Sequence, residues 1–278
     1  MIDERAVFFE SAGESLFGIM HSANTDKPKR GLVVVVGGPQ YRVGSHRQFV
    51  LLARAVASAG YPVLRFDYRG MGDSTGPSVD FESIDDDIAA AVDSLCSDHP
   101  SIESVTLWGL CDAASAALFY AGRNVDPRIG SLVLLNPWVR TEQGEARAQA
   151  TGYYGRRATS VTAWLGVLRS PRRALRVLKN LAGIARRLLS RAESTETSLP
   201  ERVMAALSSF HGDVLLLMSG NDLTAREFLA TAQNDQRCVD ALRDGAIKKC
   251  DLEEADHTFS TATWRHWVER QTIDWLRQ

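Results

Sequence analysis

The sequence has no closely spaced cysteine pairs and no long apolar run. Its 278 residues contain four cysteines: Cys96, Cys111, Cys238 and Cys250. None of them forms a C-x-x-C pair, so the sequence predicts neither a zinc cluster nor a disulfide framework, and a reducing compartment fits best. The longest aliphatic run, 32–36, is far too short to span a bilayer. The polar start at 1–5 lacks the apolar segment of a secretory signal. We therefore expect a cytoplasmic protein.

A strong charge of one sign is also missing. The net charge is −2 at neutral pH, which predicts no general affinity for nucleic acid. Neither the G-x-G-x-x-G pattern nor a P-loop occurs, so the glycine-rich loops do not indicate a nucleotide site. We expect no cofactor and no metal. The apolar content of 45% is ordinary for a globular protein, and the length suffices for one large domain with a substantial core.

Short apolar runs alternate with helix-like segments along most of the chain. A hairpin is predicted over 6–10 and 16–20, and buried strands over 32–36, 61–67, 104–110, 129–136, 214–218 and 246–252. Helices are predicted over 46–59, 81–97, 113–120, 224–233 and 262–277. This alternation predicts an α/β protein with an open, mostly parallel sheet and helices on both faces.

The alternation breaks at Pro137. Residues 138–205 contain no strand-like run, and 140–191 hold twelve arginines and lysines against two acidic residues. We predict a basic, helical cap over 138–205 that is inserted between two parts of a core, 1–137 and 206–278. Its charge favours an anionic acyl donor or peripheral contact with an anionic membrane surface. A solvated helix face explains the same charge equally well.

The segment 104–115 predicts a strand, a sharp turn and a helix, with Cys111 at the turn. Gly109 and Ala113 lie two residues to either side of Cys111, which fits the nucleophile elbow pattern of glycine, any residue, nucleophile, any residue, small residue. The N-terminus of the following helix would favour a thiolate at this position. A cysteine after a buried strand is also commonly a small core residue, so that alternative stays open.

Two more polar loops follow predicted strands. Asp222 comes after 214–218, and His257 comes after 246–252. Ligands bind at the carboxyl ends of strands in open α/β sheets, so we expect His257 to exchange protons with the thiol and the leaving group. Asp222 would orient His257; Asp256 is the competing acid, although its adjacency to the histidine disfavours it. The remaining histidines are interpreted as surface or capping residues: His21, His46, His99, His211 and His266.

An acyl-transfer site also needs donors for the oxyanion of the tetrahedral intermediate. We expect one donor to be the backbone N–H of Asp112, directly after the nucleophile. The other is expected from the loop 37–40, where Pro39 has no N–H. That leaves Gly38, which we favour, or Gln40. The alternative is that this loop is only a turn.

Together these loops resemble the α/β-hydrolase superfamily. Residues 36–39 are similar to its His-Gly-Gly-Pro loop, with valine in place of histidine, and 67–74 to its Asp-x-Arg-Gly-x-Gly-x-Ser turn. Residues 219–222 and 255–259 resemble its acid and histidine loops. The resemblance implies the α/β-hydrolase fold, with a mostly parallel sheet of eight strands and an inserted helical cap.

A narrower resemblance is to hydrolases associated with the exosortase A protein-sorting system, through the stretches 37–49 and 109–115. It implies a bacterial origin and a link to exopolysaccharide and protein export. We expect a cysteine-dependent hydrolase that cleaves a small-molecule thioester, ester or lactone through an acyl-cysteine intermediate. Two alternatives stay open: an acyltransferase with the same triad, and a non-catalytic binding or scaffold protein.

Overall fold

The computed structural model describes residues 2–22, 27–38, 40–123, 126–140 and 197–278. In this part of the chain eight strands form one sheet: β1 Asp3–Ser11, β2 Glu14–Ser22, β3 Arg30–Val34, β4 Val63–Asp67, β5 Ser104–Leu110, β6 Ile129–Leu135, β7 Asp213–Ser219 and β8 Ile247–Leu252. Their order is β1-β2-β4-β3-β5-β6-β7-β8. β2 pairs antiparallel with β1 and β4, and the other pairs are parallel. The predicted mostly parallel sheet is confirmed.

The described helices are α1 Gln48–Ser58, α2 Asp85–Asp98, α3 Asp112–Arg123, α4 Leu199–Ser209, α5 Leu223–Gln233, α6 Gln236–Arg243 and α7 Ala262–Leu276. α1 begins two residues later than predicted because His46 and Arg47 have positive φ values of 55° and 60°. Helix α6, in which Cys238 alone is buried, was not predicted. Cys238, Val239, Ala241 and Leu242 follow helical spacing, but the segment is too short for that pattern to stand out.

Alternate residues of the central strands face opposite layers of helices. Leu32 and Val34 of β3 pack in one apolar cluster with residues of α1 and α7, including Phe49 and Val268. A Cβ atom on Gly31, the residue before Leu32 and therefore on the other face of the pleat, would instead lie 2.8 Å from Leu95 of α2. Successive residues of a strand point to opposite faces, so the sheet has helices on both faces, as predicted.

The packing divides the chain into two compact units. One combines Met1–Val139 with Val203–Gln278, and the other is Arg140–Arg202. Because 141–196 lie outside the described residues, the basic cap over 138–205 and its boundaries stay a prediction. In the part of the chain that the structure describes, no helix is long and apolar enough to cross a membrane.

His21 corrects one of the expectations from sequence. It is fully buried in β2, an interior strand between β1 and β4, and not a surface or capping residue. Its Nε2 atom lies 2.9 Å from the donor Nε of Arg65. Burial is the main reason that the pKa of His21 falls to about 4, and the charge of Arg65 lowers it further. His21 is therefore a neutral acceptor inside the fold.

Lowering the pH from about 7.5 to about 5 is expected to destabilise the fold by about 2 kcal/mol through His21. The histidine titrates near 6.5 when unfolded and near 4 when folded, so the unfolded chain takes up the proton first as the pH falls. Urea unfolding of the wild type and of His21→Gln at both pH values measures this loss. Glutamine retains an acceptor for Arg65 but cannot be protonated. An equal pH dependence in the two proteins would contradict the prediction.

Candidate active site

Cys111 forms a one-residue turn between β5 and α3. Its φ is 65°, in the left-handed region that residues with a side chain rarely adopt. Its N–H donates to the carbonyl of Leu135 at 2.9 Å, and its carbonyl accepts from the N–H of Trp138 at 3.1 Å. The half-buried side chain is thus held by the backbone on both sides of the turn.

The turn is tight because two small residues let strand and helix approach each other. A Cβ atom on Gly109 would lie 2.5 Å from the carbonyl oxygen of Ala113 and 2.7 Å from the N–H nitrogen of Ala114. Contacts this short with backbone atoms cannot be relieved by moving a side chain. The glycine two residues before Cys111 is therefore required by the geometry, as the sequence pattern indicated.

Asp222 and His257 meet at the ends of β7 and β8. The Oδ2 atom of Asp222 lies 2.9 Å from Nδ1 of His257. The same carboxylate caps α5 by accepting from the N–H groups of Thr224 and Ala225 at 3.2 and 3.0 Å. The carboxylate is 9% exposed and the imidazole 34%, so the acid is covered while the ring remains accessible.

Electrostatics couples these groups to Cys111. The hydrogen bond to Asp222 is the main reason that the pKa of His257 rises to about 10, and a hydrogen bond to the Cys111 side chain raises it further. Burial alone would raise the pKa of Asp222, but hydrogen bonds from His257 and from two backbone amides bring it below the usual value. The structure thus brings together the three side chains that the sequence singled out. Their catalytic roles stay a prediction.

The carboxylate of the competing acid, Asp256, forms hydrogen bonds within its own loop. Its Oδ1 atom accepts from the N–H groups of Thr258 and Ser260 at 3.2 and 3.0 Å, which folds the turn that carries His257. This arrangement favours Asp222 as the partner of the imidazole. Within the described ranges, no group of three or more His, Cys, Asp or Glu side chains is arranged to hold a metal ion.

The two candidates for the second oxyanion donor differ in position. The N–H of Gly38 points at the elbow, where it donates to Oδ2 of Asp112 at 2.7 Å. The side chain of Gln40 braces the loop, because its Oε1 accepts from the N–H of Ser45 at 3.1 Å. This contact does not involve the backbone N–H of Gln40, which stays the alternative donor. Gly38 is therefore the candidate whose N–H group faces the residue after Cys111.

Asn136 is a buried residue next to the site, although the sequence predicted it only as the end of a strand. This buried residue has a φ of 43°. Its Nδ2 donates to Oγ of Ser219 at 2.8 Å and to the carbonyl of His257 at 3.1 Å, and its Oδ1 accepts from the N–H of Ser219 at 2.9 Å. Asn136 thus links the ends of β6 and β7 to the histidine loop. An asparagine directly before Pro137 was the available sequence signal, because asparagine tolerates left-handed turns.

Comparison with known families gives one match. A family model described as alpha/beta hydrolase fold matches residues 32–175, which is just over half of the chain. Among curated proteins, none matches this sequence.

Solved structures with a similar fold come from several organisms. An esterase from Pyrococcus furiosus is 15% identical with a TM-score of 0.67, and the match covers 99% of this chain and 92% of that one. The alpha/beta hydrolase GrgF from Penicillium sp. sh18 is 17% identical with a TM-score of 0.64, over 99% and 98% of the chains. The esterase domain of a Rhodothermus marinus protein is 18% identical with a TM-score of 0.61, also over 99% and 98%. At such low identities the likeness extends to the fold alone.

Proposed function

Because this chain belongs to the α/β-hydrolase fold family, we propose that it is a cysteine-dependent hydrolase that cleaves a thioester, ester or lactone through an acyl-cysteine intermediate. Cys111 is the nucleophile, His257 the proton carrier and Asp222 the residue that orients His257. The observation that carries the proposal is the 2.9 Å contact between Nδ1 of His257 and Oδ2 of Asp222, on a ring whose pKa is also raised by the Cys111 side chain.

The proposed reaction begins with an ion pair. His257 takes the proton of the Cys111 thiol, and its pKa of about 10 supports a protonated ring at neutral pH. The thiolate then attacks the acyl carbon, forming a C–S bond and an oxyanion. As the oxyanion collapses, the bond to the leaving group breaks and the imidazolium gives that group its proton. The neutral ring next takes a proton from water, which attacks the acyl-cysteine and releases the acid and the thiol.

The choice of substrate class follows from the leaving group. A thiolate is itself a good leaving group, so the tetrahedral intermediate partitions forward only when the departing group leaves at least as readily. Thiols and activated alcohols meet that condition, and the alkoxide of a lactone departs when ring opening relieves strain and the His257 imidazolium protonates it. An amine requires stronger protonation, so we rank peptide bonds below the other substrates. A small-molecule acyl substrate is therefore proposed.

We further propose the cellular role that the resemblance to exosortase-associated hydrolases implies. The stretches 37–49 and 109–115, which resemble exosortase-associated hydrolases, border each other where Gly38 donates to Asp112. A role alongside protein sorting and exopolysaccharide export is proposed on that basis. The arginine-rich segment 140–191, largely outside the described residues, is proposed to attract the anionic part of a substrate or an anionic membrane surface.

A panel of thioesters, lactones and activated esters tests the proposal. The wild type should turn over at least one class, and intact mass spectrometry should show an acyl adduct that maps to Cys111. Cys96→Ser is the matched control and should keep both activity and adduct. Transfer of the acyl group to added alcohols or amines in preference to water would identify an acyltransferase. No turnover, with equal iodoacetamide labelling of all four cysteines, would overturn the catalytic proposal in favour of a scaffold.

A further inference from the structure

The backbone amide of Gly38, the favoured second oxyanion donor, is already engaged by a side chain of the protein itself. Oδ2 of Asp112 accepts from the N–H of Gly38 at 2.7 Å. Oδ1 accepts from the N–H of Ala113 at 3.0 Å. The carboxylate thus occupies one expected oxyanion donor, Gly38, and also bonds the residue after the other expected donor, Asp112.

The loop opposite is shaped to this carboxylate. A Cβ atom on Gly37 would lie 2.1 Å from Oδ1 of Asp112 and 2.7 Å from the N–H nitrogen of Ala113. Gly38 has a φ of 61°, a conformation that suits glycine. The backbone at Gly37 therefore closes directly on the Asp112 side chain, an approach that a side chain at 37 would block, while Gly38 is needed for its positive φ.

A carboxylate in this position competes with an oxyanion for the same donors. An ionised carboxylate only accepts hydrogen bonds, so it uses the N–H groups that stabilise the tetrahedral intermediate and adds a negative charge beside it. Burial raises the pKa of Asp112, while the amides of Gly38 and Ala113 partly lower it again. The pKa stays above its usual value, so burial outweighs these hydrogen bonds and the site disfavours the charged carboxylate relative to solvent.

We propose that the Asp112 carboxylate is an internal occupant of the oxyanion hole, which an acyl substrate must displace, and that it selects against acyl groups with a negative charge next to the carbonyl. The inference rests on the proposed function, because the N–H of Gly38 is one of the donors that would stabilise its intermediate. Any anionic part of the substrate must then lie away from the reacting carbon. Rotation of the Asp112 side chain would free the N–H of Gly38.

Alkylation of Cys111 tests the effect of the Asp112 charge on approaching reagents and needs no substrate. Neutral iodoacetamide and anionic iodoacetate are compared on the wild type, Asp112→Asn and Glu254→Gln, with the modified peptide quantified by mass spectrometry. Asparagine keeps the shape of the side chain and loses its charge. We expect the ratio of iodoacetate to iodoacetamide rates at Cys111 to rise about tenfold in Asp112→Asn. Glu254 is exposed, so Glu254→Gln matches the change in net charge and should leave the ratio unchanged.

Turnover of a neutral ester provides the second measurement. Asp112→Ala frees the N–H of Gly38, and we expect kcat/KM to rise about tenfold, since a single oxyanion donor is worth about 100-fold or more. Melting curves of both variants show whether the alanine variant is folded, and Asp112→Asn repeats the turnover measurement with a side chain of the original shape. An unchanged alkylation ratio, or folded variants no faster than the wild type, would overturn the inference. Absence of turnover in every protein, without preferential alkylation of Cys111, would instead overturn the proposed function.

Discussion

Replacing Cys111 with alanine is expected to lower kcat/KM for the best substrate of the panel by about ten-thousand-fold or more. Alanine removes the atom that forms the covalent intermediate, so only binding and oxyanion stabilisation remain. Cys111→Ser is expected to fall almost as far, because a hydroxyl is far less acidic than a thiol and His257 is positioned for a thiol. Steady-state kinetics together with intact mass spectrometry of the acyl adduct measures both effects.

The control for this prediction is Cys250→Ala. Cys250 is a half-buried free cysteine on β8, and burial raises the pKa of its thiol. It should therefore be unreactive, and the variant should keep activity within a few-fold of the wild type. If Cys111→Ala turned over substrate at the wild-type rate, the nucleophile would have to be another group.

Asp222→Asn is expected to lower kcat/KM by about a thousand-fold to ten-thousand-fold. Its hydrogen bond is the main cause of the high pKa of His257, so that pKa should fall from about 10 towards 6.5. The ring would then lose its proton as the pH rises through neutrality, where the wild type still holds it. Titration of the His257 ring resonances by NMR gives the pKa, and kinetics gives the loss of activity. Asparagine remains a good helix N-cap, so α5 should persist.

Asp256→Asn is the matched control, one residue from the same histidine. Its carboxylate bonds Thr258 and Ser260 in the loop, so the variant should change kcat/KM by less than about tenfold and should leave the His257 titration in place. If Asp256→Asn abolished activity and Asp222→Asn did not, the roles of the two acids would be exchanged.

The sequence predicted the sheet and the meeting of three loops because both follow from local patterns. β-branched runs such as 32–36 mark buried parallel strands, and the carboxyl ends of parallel strands share one edge of a sheet. Residues 111, 222 and 257 each follow such a strand, so their convergence follows from chain order. The glycine at 109 was informative because its role is purely steric.

Other features depend on contacts between distant parts of the chain. His21 is buried because β2 has a neighbour on each side, which its own segment does not reveal. The link from Asn136 to Ser219 and His257 spans 83 and 121 residues. The engagement of Gly38 by Asp112 depends on the orientation of one side chain. Sequence patterns constrain such tertiary interactions weakly, because a residue type does not specify its partner.

The left-handed corners around the site bear on attempts to make the protein more heat-resistant. Cys111, Asn136 and Phe259 have φ values of 65°, 43° and 51°, and a glycine at such a corner relieves roughly 1 kcal/mol of conformational strain. At Asn136 and Phe259 the loss of buried hydrogen bonds and of core packing outweighs that gain. At the half-buried Cys111, directed evolution scored by melting temperature alone would drift towards glycine and discard the thiol. Selection for the proposed turnover would oppose that drift, so the proposed nucleophile would be kept at a cost in heat resistance.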